Sequence, residues 1–386
     1  MRQHRYLALI VLALTPGIAA AQRVKLLVPL DSLVARATRD SNDAPAQYEA
    51  ALGYWYNRKY DAAEARLREA VAIDPKMAEA YLALAFLPYA RRPRGWDEEA
   101  DRKVPSAWQA TVDEAWSFRR KAFLINPMVD LKPLALMIPP PEAIGLKGAL
   151  YTIVVNGFGS FWDGQYGRAY DFFRELGGQT PHDRRPSWLL WYEGLAAAHI
   201  NEFGQAIADF QILLGRAEQV EQLDGGAALA FSSSNHYRYT LACLLDLSGS
   251  TKEAAEMLQQ VLTTDAGLYM AHVRLASIYS DRHRTQSAIE ERRRAVAANP
   301  DDPSLVYDLG ETLARTGELA DAEAALLEAR RANPRNVRAL YILGWVQEQL
   351  GEAEAAHEAY RAFLQLAPSR FDQEKAELEQ KLAAAP

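Results

Sequence analysis

Residues 156–173 read NGFGSFWDGQYGRAYDFF and set Gly157, Gly159 and Gly164 close together. Glycines so spaced could cradle a phosphate. A phosphate loop also needs a preceding strand and a following Lys-Ser or Lys-Thr pair, or a full dinucleotide fingerprint, and neither is present. Histidines 182, 199, 236, 272, 283 and 357 lack a metal-ligand spacing such as H-E-x-x-H. There is no G-x-S-x-G elbow. The pairs Glu98-Glu99 and Glu290-Glu291 read as solvated charge. No nucleophile, base and orienting group can be named together. The sequence therefore predicts no enzyme, no cofactor and no metal.

The 386 residues carry a formal net charge of -7, which disfavours nucleic acid as a partner. Cys243 is the single cysteine, so no intramolecular disulfide can form. Residues 1–21 have the pattern of a signal peptide: Arg2 and Arg5, an apolar run over Tyr6–Leu14, then Ala19-Ala20-Ala21 before Gln22. That run is shorter than the ~20 apolar residues of a membrane span. The expectation is a mature chain starting at Gln22, periplasmic or secreted, without stable membrane insertion.

The elements that must position any site follow from a repeat. Pro300, Pro334 and Pro368 are spaced 34 apart. In a 34-residue frame with these prolines at position thirty-two, units begin near Ala44, Ala78, Leu150, Ser187, Asn235, Tyr269, Pro303 and Val337. Position eight is then always Ala or Gly: Ala51, Ala85, Gly157, Gly194, Ala242, Ala276, Gly310 and Gly344. Position twenty is always Ala, from Ala63 and Ala115 to Ala322 and Ala356. Small residues there let two helices cross closely, and proline at thirty-two ends the second helix. Gly164 falls on the turn between helices, as do Gly249, Gly317 and Gly351.

This pattern resembles the tetratricopeptide repeat. The resemblance implies an all-α, right-handed superhelical solenoid of about eight helical hairpins. Residues 22–43 are expected as an N-terminal cap, 44–220 as units one to four, 221–234 as a break, 235–370 as units five to eight, and 371–386 as a C-terminal capping helix. Insertions fall near 91–105 and 129–149, the second containing Pro139-Pro140-Pro141. Caps are needed because end units would otherwise expose apolar faces.

In this family, positions two, five, nine, twelve and thirteen of the first helices line a concave groove. The resemblance places Tyr48, Trp55 and Tyr56 there from unit one, and Phe86 and Tyr89 from unit two. Unit three contributes Tyr151, Phe158, Phe161 and Trp162; unit four Trp188, Trp191 and His199; unit five His236 and Tyr239. Units six to eight are more polar. The Lys, Asn and Arg set that clamps a peptide carboxylate in some members is absent. So many rings exceed the apolar patch of an ordinary monomer, about 300–600 Å². They imply a partner surface for a protein or peptide, or, alternatively, a polysaccharide stacking on the rings. The other reading is that residues 129–148, or the break near Ala227, fold in and cover them. Arg119-Arg120-Lys121, Arg292-Arg293-Arg294 and Arg330-Arg331 lie late in second helices, where they complement the helix dipole or, alternatively, form a basic ridge for anionic lipid or polysaccharide.

Overall fold

A computed structural model describes residues 28–90, 106–129, 157–162, 164–178, 180–224 and 233–384. All regular elements among them are helical. In chain order they are α1 (Leu30–Arg39), α2 (Ala44–Tyr56), α3 (Tyr60–Ile73), α4 (Ala78–Ala90), α5 (Ser106–Ile125) and the short α6 (Ser160–Trp162). Then come α7 (Tyr166–Gly177), α8 (Ser187–His199), α9 (Phe203–Asp224), α10 (Ser234–Leu247), α11 (Thr251–Thr264) and α12 (Tyr269–Asp281). The series ends with α13 (Thr285–Ala298), α14 (Pro303–Thr316), α15 (Leu319–Ala332), α16 (Val337–Gln349), α17 (Ala353–Leu366) and α18 (Asp372–Ala384). Consecutive helices pack in pairs, including α4 with α5, α8 with α9, α12 with α13, α14 with α15 and α16 with α17.

The register follows the 34-residue frame. Every position-twenty alanine is at most 3% exposed. At position eight a larger residue would collide with the partner helix. A Cβ on Gly344 would lie 2.6 Å from the Tyr360 ring, and one on Gly310 would lie 2.8 Å from Leu326. The turn carries a second constraint. Position fifteen has positive φ in seven units: Gly164, Gly249, Gly317 and Gly351, but also Arg58, Asn201 and His283. Its counterpart in unit two lies outside the described residues. Glycine takes this conformation without steric cost, whereas Arg58 and His283 adopt it against their side chains. In NGFGSFWDGQYG, Gly157 therefore serves a helix crossing, where a Cβ would lie 2.8 Å from the Phe172 ring, and Gly164 serves a turn. Some helix starts carry side-chain caps: Asp302 accepts from the Ser304 N–H and Asn336 from the Ala339 N–H.

Contacts divide the described chain into two compact units, one of residues 52–64 and 78–257, the other of 28–51, 65–77 and 258–386. The first and last described helices, α1 and α18, both belong to the second. Leu33 and Ala37 of α1 pack on Ala46 and Ala50 of α2. Gln47 donates to the carbonyls of Ala37 and Ser41, satisfying the end of α1. At the other end, Leu378 of α18 packs with Val337, Tyr360 and Phe363.

In the second unit the loop ending α1 and the loop ending α3 meet the equivalent loops of the last repeats. Asp40 accepts from the Ser369 backbone N–H and hydroxyl, each at 2.9 Å. Asn42 donates to the carbonyls of Arg335 and Leu366. Arg335 returns a bond to Asn42, donates to the Ser41 carbonyl and pairs with Glu69. Arg370 pairs with Asp43, and Lys76 with Asp308.

Candidate functional site

The aromatic residues expected along the groove gather mainly in the first unit, around α8. Its sequence, SWLLWYEGLAAAH, is apolar on most sides because helices pack around it. Tyr192 is the centre. Its ring lies 4.7 Å from Phe158, 5.3 Å from Phe161, 5.7 Å from Phe173 and 4.9 Å from Trp191. Phe161 also meets Tyr166, which stacks on His199 at 3.8 Å with ring planes 5° apart. Trp188 lies 5.9 Å from Phe158.

The C-terminal end of α5 lies against the first helices of units four and five. Phe123 sits edge-on to Trp191 at 6.3 Å and to His236 at 6.4 Å. The Tyr239 hydroxyl donates to the Leu124 carbonyl at 2.7 Å. Among the described residues, the second helix of unit two covers Trp191, His236 and Tyr239. Residues 129–148 lie outside the described residues except Val129, and Ala227 lies outside them too.

The expected groove residues separate accordingly. Trp55, Phe158, Phe161 and Tyr239 are buried, a correction to their expected place on a partner surface. Aromatic rings gain more by packing on each other than by facing water. Tyr48, Tyr56, Phe86, Trp188, Trp191, His199 and His236 keep part of their surface. Tyr151 and the side chains of Tyr89 and Trp162 lie outside the described residues.

Burial shapes the electrostatics. Burial pushes the Tyr192 hydroxyl up to about 12, against the opposing charge of Arg119. Burial, reinforced by Arg119, lowers His236 to about 4, so its ring is neutral at neutral pH. Arg119 itself lies 5.8 Å from the Phe86 ring and 5.4 Å from the Trp116 ring, with Trp116 41% exposed. Lys121 stands 4.7 Å over Tyr81. These are cation–π distances. Read as helix-end complements, Arg119 and Lys121 belong instead to the aromatic face. Arg292, Arg293, Arg294 and Arg330 are engaged in ion pairs with Asp308, Asp321, Glu291 and Glu358.

Sequence reasoning also missed a buried polar cluster between α7 and α9. Glu193 takes position seven of unit four, and Asp209 position twenty-three; both are buried. Arg185 crosses Gly177, where a Cβ would fall 2.6 Å from its Nε, and donates to both Glu193 oxygens at 2.8 and 2.7 Å. His182 Nε2 lies 2.5 Å from Asp209 Oδ1, which also accepts from Gln205. Burial pushes Asp209 up to about 6, with the Glu193 charge adding to it against the His182 bond. The cluster straps the segment before α8 to the second helix of its own hairpin. The signal was available: Glu193 stands in an otherwise apolar run. His272 bonds buried Glu291 at 2.6 Å.

Among the described residues no three His, Cys, Asp or Glu side chains gather as a metal site. No described helix is long and apolar enough to cross a membrane.

A family model described as tetratricopeptide repeat matches residues 34–86 and 307–371. Among curated proteins, the chain is similar to the Homo sapiens protein O-mannosyl-transferase TMTC1, 28% identical over 183 residues, 46% of this chain. The match spans 21% of that protein's length. That relative is named as an enzyme, and the expectation of no enzyme is withdrawn on this match. Among solved structures, MamA is 21% identical over 48% of this chain and 96% of its own, with a TM-score of 0.37. The C-terminal part of a repeat protein from Cytophaga hutchinsonii is 13% identical over 58% and 84%, with a TM-score of 0.47. The helical hairpins, their small-residue crossings and the matched segments agree: the chain carries tetratricopeptide repeats in an all-α repeat fold.

Proposed function

We propose that this chain is an exported scaffold that holds a protein or peptide partner on the aromatic face of its first compact unit. The observation that supports it most is the group on α4 and α5. Trp116 is an exposed tryptophan, and the Arg119 guanidinium lies within cation–π distance of both Trp116 and half-buried Phe86. Tryptophan and arginine are the side chains that most often anchor protein interfaces. Trp188 and Trp191 of α8 also keep part of their surface.

The test is site-specific photo-crosslinking in cells, with the crosslinker at Trp116 and, as reference, at exposed Arg293. A discrete protein adduct at Trp116 and none at Arg293 is the expected result. Equal labelling at both positions would sink the assignment. Export rests on the pattern of residues 1–21, and intact mass after expression in an exporting host checks it. Cleavage before Gln22 is expected; retention of Met1–Ala21 in a membrane fraction would refute it.

A further inference from the structure

We propose that Tyr307 and Asp308 form a notch that recognises a cationic side chain, filled here by the chain's own Lys76, and that a lysine-bearing peptide competes for it. All three residues belong to the second compact unit. Tyr307 falls at position five of unit seven, which the repeat directs into the groove, yet it is 8% exposed, and its neighbour Asp308 is 5% exposed. The occupant is visible. Lys76 Nζ donates to Asp308 Oδ1 and stands 5.9 Å from the centre of the Tyr307 ring.

The notch is set for a cation by its surroundings. Arg292 donates to Asp308 Oδ2 at 3.2 Å, which leaves Oδ1 to Lys76. The Glu311 carboxylate adds negative charge near the Tyr307 ring. A carboxylate beside an aromatic face suits an ammonium group on both counts.

The occupant is also exchangeable. Lys76 is 40% exposed on its side chain. Its loop is otherwise held to this face by Asn333, whose bonds to the carbonyls of Ala72 and Ile73 are both 3.4 Å, the long end of the range. The remaining contacts, Asp40 with Ser369 and Arg335 with Asn42 and Glu69, lie away from the notch and hold the N-terminal hairpin while Lys76 swings out. The partner therefore needs to displace one side chain, and the hairpin stays docked.

This inference rests on reading the array as a peptide-binding surface, but at a site separate from the aromatic face. The probe is a fluorescein-labelled tetralysine peptide, titrated into the full chain at about 0.15 M salt and read by anisotropy. Lys76→Ala is expected to tighten binding about tenfold over the unaltered protein. Adding Asp308→Asn should remove that gain. Lys252→Ala, which changes the net charge equally at an exposed site, should leave affinity unchanged. Because Asp308→Asn disturbs Arg292, melting is measured on each variant. If the Asn variant melts early, Lys76→Ala with Tyr307→Leu decides, and it should lose most of the gain. Equal affinity with and without Lys76, an equal gain from Lys252→Ala, or a gain that survives both notch changes would overturn the proposal. Crosslinking at Trp116 reads the aromatic face independently, so failure of one is not failure of the other.

Discussion

The two compact units are built on the same 34-residue register, yet they bring distant elements together by opposite means. Around α8, rings from α5, α6, α7 and α10 fill the space, and the polar groups caught there are shifted by burial. In the unit of residues 28–51, 65–77 and 258–386, loops meet through carboxylates, amides and guanidinium groups that remain partly exposed. The difference teaches what a repeat frame specifies. It sets the crossings within a hairpin and leaves contacts between distant hairpins to whatever side chains the other positions carry. Aromatic contacts should be strong and indifferent to salt. Ionic ones should be weaker and salt-sensitive.

The largest expected effect lies in the aromatic unit. Phe161 is fully buried between Tyr166, Tyr192 and His199. Phe161→Ala should cost about 3–5 kcal/mol. Denaturant melts at low and high salt would check it. A loss below ~1 kcal/mol, or one erased by salt, would break the contrast between the units.

Acid should act on the same unit next. His236 is lowered to about 4 from an ordinary 6.5, so the unfolded chain takes up the proton first as pH falls. Its contribution is present above pH 6.5 and is lost on descending through 4, roughly 3 kcal/mol at most. Asp209 works the other way. Its carboxyl is raised to about 6 from 3.8, so its contribution is full below 3.8 and lost as pH rises through 6. His236→Phe should flatten the acid-side loss in a series of melts between pH 7 and 4. A profile as steep as that of the unaltered chain would show that His236 is not its source.

Within a hairpin of the other unit, Ala322→Leu should cost about 1–3 kcal/mol by overpacking the crossing, since Ala322 is fully buried beside Ala325 and Leu326. Thermal melting alongside Glu318→Gln, expected to be near neutral, tests the register itself. Equal small shifts from both would contradict it.

How much of this was legible depends on the type of contact. Position eight, position twenty and the prolines are local to one hairpin and recur, so periodicity exposes them, and the structure buries the residues at positions eight and twenty. The left-handed turn was legible where glycine marks it, and Asn201 also tolerates positive φ, but nothing in the residue type announces it at Arg58. The aromatic residues were legible as a list of positions. Their packing was not, because Trp191 and Tyr239 meet Phe123 and Leu124, far along the chain from them. The pairing of Asn42 with Arg335 likewise spans most of the chain and follows no period. Glu193 could have been found as one acid in an apolar helix; its partner Arg185 could not.

The smallest effects discriminate within the ionic unit. Arg335 and Arg293 are both arginines paired with one carboxylate, but their settings differ. Arg335 joins Glu69, Asn42 and the Ser41 carbonyl in one network and is about one-third exposed. Among the described residues Arg293 meets only Asp321, with both side chains more than half exposed. An exposed pair gains little, because water screens the charges and holding two long side chains costs entropy. Arg335→Ala should therefore cost about 1 kcal/mol, since it leaves Asn42 and a backbone carbonyl without their donor. Arg293→Ala should cost less than ~0.5 kcal/mol. Raising salt to about 0.5 M should remove most of the Arg293 effect, the Debye length having shrunk to a few ångström. The Arg335 effect should persist in part, because its neutral hydrogen bonds are not screened. Denaturant melts of both variants at two salt concentrations decide the matter. Equal losses that vanish together in salt would mean that the loops are held by charge alone, and that the hydrogen-bond network around Asn42 contributes nothing of its own.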